Sequence, residues 1–218
     1  MSFNKKLSII IPAHNEEKTI INVVKNCNKF GYVILINDCS IDNTSKILSK
    51  LKLKNLSIIS NKYKLGYDGA INKGVNFALK KGFKFIITYD ADNQFYHSDI
   101  KIFLKSLDKG FQIVLGVRPY KQRLAEYLFA FFLNKKFGIK DPFCGLKGYD
   151  SKIFKDNKNI FTYNSIGTEV LLKNIYNIKR IKQIKIKLKV RLDKPRFGNI
   201  LTANIKLLLA MFNGFRLL

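Results

Sequence analysis

The chain has 218 residues, 47% of them hydrophobic, which is enough apolar side chain to close one sizeable core and excludes intrinsic disorder. Its 40 basic and 15 acidic residues give a formal charge of +25, a field that favours phosphate-rich partners such as nucleic acid, anionic lipid or nucleotides without choosing among them. Cys27, Cys39 and Cys144 are widely spaced and lack a Cys-x-x-Cys pattern, so neither a disulfide framework nor a zinc site is indicated, and a reducing, cytoplasmic setting is expected.

Short β-rich runs alternate with helical patterns along the chain. Lys5 and Lys6 precede the apolar run Leu7 to Ile11, which stops at Pro12 and is too short for a signal peptide; it reads as a first strand. A helix is predicted over Glu16 to Phe30, a strand over Tyr32 to Ile36, a helix over Asp42 to Leu53 and a strand over Leu56 to Ile59. A helix over Asp68 to Lys81, a strand over Phe83 to Tyr89 and a helix over Ser98 to Leu107 follow. Continuous apolar strands in βαβ alternation imply a mostly parallel central sheet covered by helices on both faces, with ligands beyond the carboxyl ends of the strands. No stretch reaches the ~20 apolar residues that span a bilayer, so any membrane contact is expected to be peripheral.

The chemically unusual residues fall at those strand ends. Asp90 and Asp92 follow the fourth strand directly. Two close carboxylates repel, and the pair reads either as a solvated Asp turn with a helix cap or as a divalent-metal site facing a diphosphate. After the first strand, Pro12-Ala13-His14-Asn15-Glu16-Glu17 offers Asn15 as an N-cap and two acids suited to a helix start. After the second, Asn37-Asp38-Cys39-Ser40-Ile41-Asp42-Asn43-Thr44 is either a turn capped by Asp42 or a loop able to bind a ribose or base edge. After the third, a basic, Gly-containing segment from Asn61 to Gly74 runs into a helix, whose start can hold an anion; it matches neither the Walker pattern nor the dinucleotide fingerprint.

In order, these segments resemble the family 2 glycosyltransferases with the GT-A fold, and more narrowly the branch of dolichol-phosphate mannosyltransferase and bacterial polyprenyl-phosphate sugar transferases. Ile11 to Glu17 is similar to that family's opening motif, and Asn37 to Thr44 to its Asp-Asp-x-Ser-x-Asp-x-Thr loop, with Asn37 in place of the first Asp. Leu65-Gly66 with Gly69-Ala70 and Asn72 to Gly74 resembles the third loop, and Asp90 to Gln94 the metal motif. Asp141, Cys144-Gly145-Leu146-Lys147 and Glu169 fall where the family places acceptor-side elements.

The resemblance implies donor contacts from Pro12, His14, Asn15, Glu16, Asp38, Gly66 and Asp90, and Mg²⁺ or Mn²⁺ held by Asp92 with Asp90. It also implies acceptor or phosphate contacts from Lys147, Arg118 and Arg196. Glu169, which reads either as a catalytic base or as a helix-start carboxylate before Val170-Leu171-Leu172, and then Asp141 are the candidates for a base. A sugar hydroxyl acceptor needs such a base, whereas a lipid monophosphate, already largely ionised at neutral pH, does not. Residues 1–198 would form one GT-A domain, with 1–116 as the nucleotide-sugar half and 117–198 as the acceptor half, followed by an amphipathic helix over 199–218. The implied reaction is metal-dependent, inverting transfer of a sugar from a UDP- or GDP-linked donor to a polyprenyl phosphate at the cytoplasmic face of the membrane, with a glycan hydroxyl as the variant acceptor.

In the second half, Gln122 to Phe137 is apolar nearly all round, which suits either a buried helix or one lying in a membrane interface. Ile184 to Leu192 alternates strictly and reads as a strand with one apolar and one cationic face. A sugar-nucleotide pyrophosphorylase would share the sheet but needs a Gly-rich, Arg-bearing loop after the first strand, where this chain has no Gly. A nucleic-acid partner is not expected, because the basic residues are dispersed and the aromatics form no RNA-binding pattern.

Overall fold

The computed structural model describes residues 4–121, 123–154, 167–191 and 200–216, giving backbone only at 200–203 and 206. Seven strands form one sheet in the order β3-β2-β1-β4-β6-β5-β7: β1 Leu7–Ala13, β2 Tyr32–Asn37, β3 Leu56–Ser60, β4 Phe85–Thr88, β5 Ile113–Val117, β6 Lys147–Asp150 and β7 Ile181–Lys185. All neighbours pair in parallel except at β6, which runs antiparallel to both β4 and β5.

Period-two alternation along the central strands sorts their apolar residues onto two layers. Ile10, Ile34, Ile36 and Ile86 point to one side, where α3 (Gly66–Lys80), α5 (Leu124–Phe137), α6 (Glu169–Asn174) and α7 (Ile200–Phe215) cover them. Ile9, Ile11, Val33, Leu35 and Ile87 point to the other, under α1 (Ile20–Cys27), α2 (Thr44–Ser49) and α4 (Asp99–Asp108). Gly74 lets α3 lie close on β1, since a Cβ there would collide with Ile10.

Several boundaries differ from expectation for physical reasons. β1 runs through Pro12 to Ala13, because β4 pairs only as far as Ile10 and the missing N–H of Pro12 faces an edge without a partner strand. α1 starts at Ile20 rather than Glu16: Asn15 adopts φ 59°, and its Oδ1 accepts from the Ile41 amide at 2.8 Å instead of capping the helix. The alternating cationic segment forms its strand earlier, over Ile181–Lys185, because β5 ends at Val117 opposite Lys185. The chain then leaves the sheet and makes an antiparallel bridge from Leu188 to Phe95.

Topology gathers the site. β1 and β4 are adjacent while their following chains depart in opposite directions, which makes the crevice beyond their carboxyl ends the switch point of the sheet. Because β6 is antiparallel, its amino end, Lys147, lies opposite Thr88 on that same edge. The carboxyl ends of β5 and β7 lie there as well, so residues 12–16, 37–44, 90–97, 118, 141–147 and 186–191 converge from remote parts of the chain.

Candidate active site

The donor-side loops are fastened to one another by side chains. The Asn15 amide donates to Ser40 Oγ at 3.0 Å, the Glu16 amide to Thr44 Oγ1 at 2.8 Å and the Glu17 amide to Asp42 Oδ2 at 3.2 Å, joining the β1 and β2 exits. His14 meets the Asp38 carbonyl through Nδ1 at 2.8 Å and Lys64 through Nε2 at 2.9 Å. Glu16 is buried and accepts from the Thr19 hydroxyl. Asp42 Oδ1 accepts from the Thr44 amide at 2.9 Å, an Asx turn just ahead of α2, whose N-cap is Asn43 rather than the expected Asp42.

Asp38 is 4% exposed and binds within the protein: Oδ1 accepts from Asn61 Nδ2 and the Leu65 amide, and Oδ2 from the Gly66 amide, each at 2.8 Å. It therefore caps α3 from a different strand, satisfying amides a helix start leaves unpaired and placing a negative charge at the positive end of its dipole. Asn37, the departure from the family pattern, bonds Ser45 through Nδ2 at 2.9 Å.

At the tip of β4, the Asp90 carboxylate accepts from the Tyr67 hydroxyl at 3.3 Å and lies against Gly145, where any Cβ would overlap it. Burial, and then the charge of Asp92, push the Asp90 carboxyl up to about 7. Asp92 Oδ1 accepts from the Gln94 amide at 3.1 Å in a tight turn with Asn93 at φ 61°, and Oδ2 pairs with Arg191 Nη1 at 3.1 Å. The loop is anchored from below by Tyr89, whose hydroxyl donates to the Phe95 carbonyl at 2.8 Å and meets His97 Nδ1 at 2.9 Å. Burial holds His97 down at about 4, so that imidazole is neutral near pH 7.

Beneath Asp90 lies Lys147, 2% exposed, donating to the Gly167 carbonyl at 2.6 Å. Burial lowers it to about 8, against the opposing pull of nearby groups that include Asp68, Asp141 and Asp90. Asp68 Oδ1 takes the Gly167 amide at 2.6 Å, so α3, β6 and the approach to α6 meet at one buried polar centre. Glu169 is fully buried at the start of α6 and pairs with Lys173 at 2.6 Å. Arg118 and Asp141 face each other: guanidinium Nε and Nη2 both reach the Asp141 carboxylate at 2.8 Å, while Nη2 also reaches Glu126 at 2.7 Å.

Thus Pro12, His14, Asn15, Glu16, Asp38, Gly66, Asp90, Asp92, Arg118, Asp141 and Lys147 all stand on or beside one edge of the sheet. Glu169, two residues past Gly167, is paired with Lys173 on α6, and Arg196 lies outside the described residues. Sequence reading missed Tyr67, Asp68 and Arg191 as members of the site. Tyr67 and Asp68 stand in the third loop next to Gly66, but only the closeness of α3 to β4 and β6 reveals their partners. Arg191 looks in sequence like one more cation in an alternating run.

No group of three or more His, Cys, Asp or Glu side chains able to hold a metal ion forms among the described residues. The donor set at the β4 tip, two carboxylates with one pushed toward its neutral form by burial and then by the charge of the other, nevertheless fits Mg²⁺ or Mn²⁺. Such ions commonly take one or two protein carboxylates and complete their shell with phosphate oxygens and water.

A glycosyl transferase family 2 model matches residues 8–156. The chain belongs to this family. Among curated relatives, an uncharacterized protein of Methanocaldococcus jannaschii is 36% identical over 168 residues, 68% of this chain and 73% of that one. A UDP-N-acetylglucosamine–dolichyl-phosphate N-acetylglucosaminyltransferase of Methanococcus voltae is 29% identical over 181 residues, 70% of this chain and 72% of that one. That name agrees with the polyprenyl-phosphate branch indicated by the motifs. The crystal structure of glucosyl-3-phosphoglycerate synthase from Mycobacterium tuberculosis with Mn²⁺, UDP and phosphoglyceric acid superimposes with a TM-score of 0.72. It shares 14% identity and covers 97% of this chain and 78% of that one, a likeness of GT-A fold. This family 2 glycosyltransferase accordingly carries its sequence motifs on the expected strand ends.

Proposed function

We propose that this glycosyltransferase moves a sugar, with inversion, from a UDP- or GDP-linked donor to a polyprenyl phosphate at a membrane surface, using Mg²⁺ or Mn²⁺ held by Asp92 and Asp90. The observation that carries the donor half is the pair of carboxylates at the switch point of the sheet, beside the cross-linked loops that leave β1 and β2. A bound divalent ion would neutralise the charge that develops on the departing diphosphate. The chain's own groups orient the reactants: Tyr67 and Gly145 fix Asp90, Asp38 fixes the start of α3, and the Arg118–Asp141 pair fixes the exit of β5.

The acceptor half is supported by surface chemistry. α5 leaves Leu124, Leu128, Phe131 and Phe132 exposed, and α7, packed against it through a Phe132–Phe215 ring contact at 4.6 Å, leaves Leu208, Leu209 and Phe212 exposed. Lys135 lies over Phe131 at 5.0 Å and Arg216 over Phe212 at 4.7 Å, so cations rim an apolar face. Such a face suits the boundary between anionic headgroups and acyl chains, where a lipid phosphate would be met. No helix among the described residues is long and apolar enough to cross a membrane. The acceptor reading needs no strong base, and it assigns Glu169 and Asp141 to holding Lys173 and Arg118 in place.

The test is transfer from UDP- and GDP-sugars to a short polyprenyl phosphate with Mn²⁺ present. Asp92→Ala should lower turnover on the order of a hundredfold or more, as losing a charge-stabilising contact does; because Asp92 also holds the Gln94 amide and Arg191, Asp92→Asn, which keeps the side chain's size, separates lost activity from lost stability. Full activity in the alanine variant would refute the metal role, and transfer to a glycan hydroxyl but not to the lipid phosphate would refute the acceptor.

A further inference from the structure

Arg191 bears directly on the acidic motif although it comes 99 residues after Asp92 in the chain. Past β7 the backbone is stitched to the Asp90–His97 loop in register: Leu188 bridges Phe95, and the Lys189 amide donates to the Gln94 carbonyl at 2.8 Å. Lys189 Nζ reaches Asn93 Oδ1 at 3.4 Å and lies over the Tyr96 ring at 5.2 Å. This delivers the Arg191 guanidinium to Asp92 Oδ2 at 3.1 Å, while the other oxygen holds the turn.

Two facts make this more than a surface ion pair. A divalent ion bound by Asp92 would sit about 2.1 Å from a carboxylate oxygen, in the space and field that the guanidinium now occupies, so the two cations oppose each other. Moreover, among the described residues the buried Arg191 Nε has no hydrogen-bond partner. A buried donor left unpaired is costly, and a planar guanidinium with a spare donor is shaped to take the oxygens of a phosphate or diphosphate.

We propose that Arg191 is a positioning residue that competes with the divalent cation for Asp92 and passes to the diphosphate when both arrive, so that metal and nucleotide bind cooperatively rather than independently. The inference rests on the reading of Asp92 as a metal ligand. In the order of binding it predicts, metal alone binds weakly because it must displace the guanidinium. Metal with a diphosphate binds well because the displaced guanidinium gains a new partner. By linkage, the metal strengthens the nucleotide by the same factor.

The experiment measures Mn²⁺ affinity by electron paramagnetic resonance of the unbound ion, with and without UDP or GDP, on the full chain. Arg191→Ala should bind Mn²⁺ alone about two- to fivefold more tightly than the parent, the size of a partly exposed ion pair, and the strengthening of Mn²⁺ binding by the nucleotide should shrink. Arg191→Gln serves the same purpose should the alanine variant fail to fold. Equal or weaker binding of Mn²⁺ alone in a folded Arg191 variant overturns the proposal. Asp92→Ala separates the two ideas: unchanged Mn²⁺ affinity there refutes Asp92 as a ligand. Loss of Mn²⁺ binding there, together with unchanged affinity in the Arg191 variants, refutes only the competition.

Discussion

The edge formed by the β1, β2 and β4 exits and the face formed by α5 and α7 handle their side chains in opposite ways. At the strand exits, polar groups are engaged with one another: Asp38 alone accepts three hydrogen bonds, and the His14 to Thr44 segments cross-link two loops. On α5 and α7, large apolar groups that could have been buried stand in solvent, Phe131 at 62% and Leu209 at 59% exposure. The first region is tied together by its own polar groups. In the second, α7 packs on α5 while their outer surface stays apolar and exposed among the described residues.

That contrast can be broken most strongly at the apolar face. Replacing Leu128, Phe131 and Leu209 together by Ser should weaken binding to anionic lipid vesicles on the order of a hundredfold, at about 1 kcal/mol for each partly inserted side chain. The thermal midpoint should hardly move, because these side chains are already exposed. Sedimentation with vesicles checks this, and undiminished binding would remove the face from the membrane reading.

Asp38→Ala should do the reverse. It strips partners from the Asn61 side chain and from the Leu65 and Gly66 amides. It should therefore destabilise the fold by about 2–3 kcal/mol, the penalty for leaving buried donors unpaired, without altering vesicle binding. Chemical denaturation measures the first and sedimentation the second.

The most diagnostic effect concerns pH. Asp90 holds its proton up to about 7 in the folded chain, whereas an unfolded carboxyl releases it near ~4. Its contribution to stability is thus fully present below the unfolded value and lost as pH rises through about 7. A divalent ion requires the charged form, so Mn²⁺ affinity should climb by up to about tenfold per pH unit below that point and level off above it. Asp90→Asn should flatten the dependence of stability on pH over this window. A metal affinity independent of pH between 5 and 8 in the parent chain would contradict the assignment.

The fold was legible in the sequence to the extent that local signals carried it. The largely apolar runs from Leu7, Tyr32 and Phe83 became β1, β2 and β4, because a strand buried on both faces is apolar at nearly every position. The Asp-x-Asp step, the polar loop after β2 and the Gly-containing start of α3 were visible for the same reason: residues so unlike their surroundings mark strand exits. Asn15 misled because its side chain suits a cap, yet the bond it makes is to Ile41, 26 positions away.

By itself, then, the amino-acid order determined an α/β chain of the family 2 type with acids at the ends of its strands, since hydrophobic period and turn chemistry act over a few residues. Only the tertiary structure decided the partners. The antiparallel β6 brings Lys147 under Asp90, α3 places Tyr67 on the same carboxylate, and the strand that ends early at Lys185 frees the following segment to carry Arg191 to Asp92. Charge attraction and hydrogen bonding act through space at about 3 Å. A pairing between residues 99 positions apart therefore exists only once the sheet order has been set.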